Sequence, residues 1–223
     1  VHDVQQIDVV ELEPAMIEVS HFFDHINHRP LERANVRVIA DDGRALLART
    51  QRQYAVIISE PSNPWITGAA SLFTREFFRA ARGALVPGGR LLQWVQLYGL
   101  QPETFATIVA AMRSELPYIY GFIPRAGDPD LLLLGMDEPL RVDDLPRWSE
   151  LPETIRNDLR RIDTASEAEL WSLLRFVPSD FDAVARSAAA INSDDNMLVE
   201  LRSPWALYDQ GLATANWQRL TAG

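Results

Sequence analysis

The sequence lacks cysteine altogether. Disulfides and thiolate metal sites are therefore excluded. It also lacks lysine, since all 21 basic residues are arginine. Schiff-base chemistry and a phosphate-loop lysine are excluded with it. No glycine occurs before Gly43. No apolar run approaches the length of a membrane span, and no signal peptide opens the chain, so these 223 residues should be soluble. Basic residues are outnumbered by 31 acidic ones, for a net charge of −10. That excess argues against a nucleic-acid binder and weakly favours cationic ligands.

What is present alternates between strand and helix patterns over the first two thirds. Ile7–Leu12 reads as a strand, and Pro14 suits the first turn of a helix through Phe23. Val36–Ala40 is a second strand and Gly43–Thr50 a short helix. Tyr54–Ser59 is a third strand, apolar and β-branched enough to expect burial on both faces. Pro61 and Pro64 end it. Thr74 caps an amphipathic helix to Leu85. A Pro87-Gly88-Gly89 turn leads to a strand over Arg90–Gln96, and Pro102–Leu116 is a helix. Tyr118–Ile123 and Leu131–Leu134 form a closing strand pair. Such alternation implies an α/β fold, with a mostly parallel sheet and helices on both faces. Beyond about residue 140 the pattern turns helical. The expected division is an α/β domain over 1–140 and a helical C-terminal extension over 141–223.

Chemistry-bearing residues gather where strands end, the edge at which open α/β sheets bind ligands. Glu11 ends the first strand and can accept from vicinal ribose hydroxyls, or simply cap the next helix. Asp41-Asp42-Gly43 follows the second; a carboxylate there reaches an adenine amino group or N-caps a helix. Glu60 follows the third, as a proton acceptor for an amine or as a loop carboxylate. Asn63 orients a polar group or makes an Asx turn. Gln93, Trp94, Gln96 and Tyr98 offer an aromatic and amide wall at the end of the fourth strand, or pack there. His21, His25 and His28 share helical spacing, but Asn27 and Pro30 signal that the helix is ending; no metal site is expected. Trp148, Trp171, Trp205 and Trp217 are expected in packing roles.

The order of these pieces resembles the polyamine aminopropyltransferases, the spermidine synthase family, over about residues 2–136. The resemblance rests on Val10-Glu11-Leu12-Glu13 before Ile17-Glu18-Val19-Ser20, and on Asp42-Gly43. It continues with Tyr54-Ala55-Val56-Ile57 running into Glu60-Pro61-Ser62-Asn63-Pro64, then Ser71-Leu72-Phe73. Gly89, Gln93 and Ile123-Pro124 also have counterparts. It implies the class I methyltransferase-like Rossmann fold. It also implies aminopropyl transfer from decarboxylated S-adenosylmethionine, a co-substrate rather than a tightly bound cofactor, to an amine acceptor. Glu11 would hold the ribose, Asp41, Asp42 and Gly43 would face the adenine, and Glu60 would be the catalytic carboxylate. Asn63, Gln93 and Tyr98 would contact the polyamine, and homodimers are common in the family.

Three positions depart from the family pattern. Asn63 replaces an acid, Ala126 a tyrosine, and Glu60 a shorter aspartate. Class I folds also carry a first strand, a glycine-rich loop and a first helix ahead of the acidic strand end, and this sequence shows none of them. The expectation is a fragment or degenerate relative with little activity by itself. The Glu-Pro-Ser-Asn-Pro-Trp form, Asn192-Ser193-Asp194-Asp195 and Ser203-Pro204-Trp205-Ala206-Leu207-Tyr208 resemble membrane-fused bacterial spermidine synthase-like proteins. The chain would then be the cytoplasmic part of an inner-membrane protein, anchored through helices outside it. Two alternatives stay open: an S-adenosylmethionine-dependent methyltransferase, and a non-catalytic sensor or scaffold domain.

Overall fold

The computed structural model describes residues 4–125, 127–141 and 145–221. Ala126 falls outside them. The chain divides into two compact units, one ending at Gln51 and one beginning at Arg52. Among the described residues no helix is long and apolar enough to cross a membrane.

The first unit holds two parallel strands, β1 (Ile7–Glu11) and β2 (Val36–Ala40), in register from Ile7–Val36 to Glu11–Ala40. Asp8 faces Arg37 across this ladder. The guanidinium grips the carboxylate bidentately at 3.0 and 2.6 Å, which fixes the pairing. Between the strands run α1 (Pro14–Val19), a 3₁₀ turn over Ser20–Phe23 and α2 (Asp24–Asn27). The chain stops being helical at His28 and Arg29, both left-handed at φ 61° and 52°. The expected helix to Phe23 is therefore α1 running into a 3₁₀ turn, with α2 added beyond it. α3 (Gly43–Arg49) follows β2. No described residue of this unit is fully buried.

The second unit carries β3 (Tyr54–Ser59), α4 (Arg75–Gly83), β4 (Leu85–Gln96), α5 (Pro102–Glu115), β5 (Tyr118–Phe122) and β6 (Asp130–Met136). After them come α6 (Glu153–Arg160), α7 (Glu167–Ser172), β7 (Leu174–Phe176), α8 (Pro178–Arg186), α9 (Leu198–Ala206) and α10 (Leu212–Thr221). Its sheet has the order β3-β4-β6-β5-β7. β3 and β4 are parallel; the other three pairings are antiparallel, because β6 inserts between β4 and β5. Parallel pairing thus belongs to the strand–helix–strand stretches and antiparallel pairing to the closing hairpin. The segment beyond residue 140 is not purely helical, since β7 extends the sheet edge.

α5 is the centre of packing. Phe105, Ile108, Val109 and Met112 are buried along it, facing the side of the sheet that carries Leu91, Val95, Leu131 and Leu133. At Gly135 a Cβ would lie 2.5 Å from the Met112 methyl and 2.6 Å from Leu116 Cδ1. Only glycine lets α5 come this close. Two sequence expectations are corrected. β3 is an edge strand of its sheet, not one buried on both faces: among the described residues it pairs with β4 alone, and Val56 and Ile58 are exposed. Its β-branched run sets strand propensity without ensuring cover. Trp205 is 86% exposed rather than packed, since α9 buries only Val199, Ser203 and Ala206. Trp217, by contrast, stacks edge-on against Phe176 at 5.3 Å.

Candidate active site

In the first unit the acidic strand ends are engaged with backbone. Glu11 Oε1 accepts from the Glu13 N–H at 2.9 Å. Glu13 caps α1 by accepting from the Ala15 N–H. Asp42 caps α3, its Oδ1 accepting from Arg44 N–H at 2.8 Å and Ala45 N–H at 3.1 Å. Asp41 accepts from the Asp42 N–H and pairs with Arg49. These bonds hold the β1 and β2 ends in fixed turns, so Glu11, Asp41 and Asp42 stand at the carboxyl edge of the two strands. At Gly43 a Cβ would meet nothing nearer than Val10 Cγ1 at 4.0 Å. Among the described residues of this unit nothing requires glycine there.

The histidines do not form a cluster of their own. His21, Asp24 and Glu32 bring ligand atoms within 4.8 Å of one another. Arg29 spans the two carboxylates at 3.7 and 3.5 Å, so their charge is already met by a guanidinium.

In the second unit β3 ends at Ser59, opposite Gln93, and Glu60 leaves the sheet exposed to solvent. The proline-rich loop then folds onto the segment after β4. Asn63 Nδ2 lies 3.3 Å from the Tyr98 hydroxyl and donates to it. The rings of Trp65 and Tyr98 lie 6.2 Å apart, tilted by 59°. Gly99 has φ 60°, and a Cβ on it would lie 2.4 Å from the Trp65 ring. Glycine is required there both for its conformation and for the close approach. Gln93 is wholly buried and donates from Nε2 to the Trp94 carbonyl at 3.0 Å. Asn63 and Tyr98 are thus in contact; Glu60 follows the strand position opposite Gln93, whose side chain is buried on the face of β4 that carries Leu91 and Val95. Ala126 lies outside the described residues.

Asp130 escaped the sequence reading. It opens β6 directly across from Gln96, the last residue of β4. Burial, and secondarily the charge of Asp128, push its carboxyl above the usual range; the Trp94 side chain, donating to it, works the other way. A charged residue opening a strand of four leucines was the available signal.

The parallel strand–helix–strand stretches and the closing antiparallel hairpin agree with the class I methyltransferase-like architecture. A solved spermidine synthase in complex with the transition-state analogue AdoDATO shares this fold. Its TM-score is 0.57 at 14% identity, over 82% of this chain and 60% of that one. The spermine/spermidine synthase domain model matches residues 1–127, and the chain belongs to that family. The polyamine aminopropyltransferase of Nitrosomonas europaea is 24% identical over 207 residues, 90% of this chain and 63% of that protein. Putrescine N-methyltransferase 2 of Nicotiana tabacum is 31% identical over 112 residues, 50% of this chain and 31% of that protein. The chain spans between 21% and 63% of the length of the first curated relatives it matches.

Proposed function

We propose that the intact protein transfers an aminopropyl group from decarboxylated S-adenosylmethionine to an amine acceptor. The observation that carries this is Glu60, exposed where β3 ends beside the Asn63–Tyr98 pair, in a chain of the spermidine synthase family. The acceptor nitrogen attacks the aminopropyl carbon next to the sulfonium. The carbon–sulfur bond breaks, its electron pair neutralises sulfur, and methylthioadenosine leaves. The nitrogen's surplus proton passes to the Glu60 carboxylate. Because the displacement is in line, the rate depends on positioning and on countering the amine's charge. Glu11, Asp41, Asp42 and Gly43 are assigned to the nucleoside; Asn63, Gln93 and Tyr98 to the amine. The Glu60–Trp65 motif and the Asn192–Asp195 motif support placing the chain among membrane-fused synthase-like proteins.

A second reading has one observation in its favour: the likeness to plant putrescine N-methyltransferases. There the acceptor would be the same and the donor S-adenosylmethionine itself. Replacement of Glu60 tests the shared chemistry. In the intact protein, Glu60→Gln is expected to lower turnover by about 10²-fold or more, read as amine product by chromatography. Unchanged turnover removes Glu60 from the mechanism.

A further inference from the structure

Gln96 closes β4 and is fully buried, yet neither its amide nitrogen nor its amide oxygen has a hydrogen-bond partner. Directly across the ladder, Asp130 Oδ1 is also buried and without a partner. Two residues before Gln96, and so on the same face of the strand, Trp94 donates to the Asp130 carboxylate. An unmet buried polar group costs about 1–3 kcal/mol. Two of these three atoms, Gln96 Oε1 and Asp130 Oδ1, are acceptors on one facing pair, and folded proteins retain few such buried acceptors unmet.

We propose that Gln96 and Asp130 hold the ammonium end of the acceptor amine that is remote from the attacking nitrogen. This rests on the amine-acceptor reading above. An alkylammonium has three N–H donors. Asp130 Oδ1 and Gln96 Oε1 accept two of them, and the cation relieves the unfavourable burial of the carboxylate. The position suits a diamine. Glu60 leaves the sheet one residue past the Ser59–Gln93 pair. Gln96 lies two residues further along, a strand span of roughly 7 Å, which is the scale of a short alkyl diamine.

The test is isothermal titration of the wild type, Asp130→Asn and Gln96→Met with 1,4-diaminobutane and with butylamine, plus thermal melts without ligand. The wild type is expected to prefer the diamine. Each substitution should weaken diamine binding about tenfold or more and leave butylamine little changed. Gln96→Met removes a buried unmet amide and Asp130→Asn removes a partly buried charge, so the free variants should melt at or above the wild-type temperature. A purely structural pair would instead melt several degrees lower, which would overturn the proposal. Variants that keep the wild-type preference for the diamine would also overturn it, while leaving the acceptor reading and Glu60 standing. A wild type that binds neither amine would remove both.

Discussion

At the residue scale, one asparagine does more for the second unit than its place in a short motif suggests. Asn192 is fully buried. Its Nδ2 donates to the Phe73 carbonyl at 2.9 Å and its Oδ1 accepts from the Val199 N–H at 3.1 Å. Its own carbonyl accepts from the Arg75 N–H. The side chain thereby ties the start of α4 to the start of α9. Asn192→Ala orphans a buried carbonyl and a buried N–H, each worth about 1–3 kcal/mol. A loss of about 2–4 kcal/mol is expected, read as a lower midpoint in urea; a loss below about 0.5 kcal/mol would show that the tie carries no load. The sequence flagged Asn192 only as part of a resemblance. Its role was illegible because Phe73 lies 119 positions away. Asp42 was more legible: a carboxylate before a helical run is an N-cap by local chemistry alone, and the structure shows both cap bonds.

At the element scale the strands and helices of the first 136 residues were readable, because each follows from short-range periodicity and turn residues. β1, β2, β3, α5 and the β5–β6 hairpin all form within a residue or two of where the pattern puts them. What the pattern could not give was cover. β3 looks like an interior strand by composition and is an edge strand in its sheet. β4 begins at Leu85 rather than Arg90, absorbing the Pro-Gly-Gly turn as a register shift opposite Tyr54–Val56. β7 has three residues, too few for a period to show. The same difference in cover predicts a difference in dynamics. β1 and β2 contain no fully buried residue, whereas β4 and β6 carry Leu91, Val95, Leu131 and Leu133 at no measurable exposure. Opening free energy follows burial. Amides of 7–11 and 36–40 are expected to exchange with deuterium well before those of 91–95 and 131–135. Equal protection of the two sets would contradict this account of where stability resides.

At the scale of the whole molecule, the family was legible from the joint order of motifs, and the domain match over 1–127 bears it out. The candidate site was legible in part. Glu60, Asn63 and Tyr98 were marked by strand-end chemistry, and in the structure Asn63 donates to Tyr98. Asp130 was visible as a charge ahead of four leucines, but its place facing Gln96 follows only from the antiparallel register. The net charge of −10 agrees with a cationic acceptor and says nothing of the donor. The donor is where the central claim is most exposed, since the chain resembles an aminopropyltransferase over 90% of its length and a putrescine N-methyltransferase over 50%. The most direct measurement gives the intact protein 1,4-diaminobutane with each sulfonium donor in turn and identifies the products by mass. The account predicts an aminopropylated amine and methylthioadenosine from decarboxylated S-adenosylmethionine, and no methylated amine from S-adenosylmethionine. A methylated product, or no product from either donor, would contradict it.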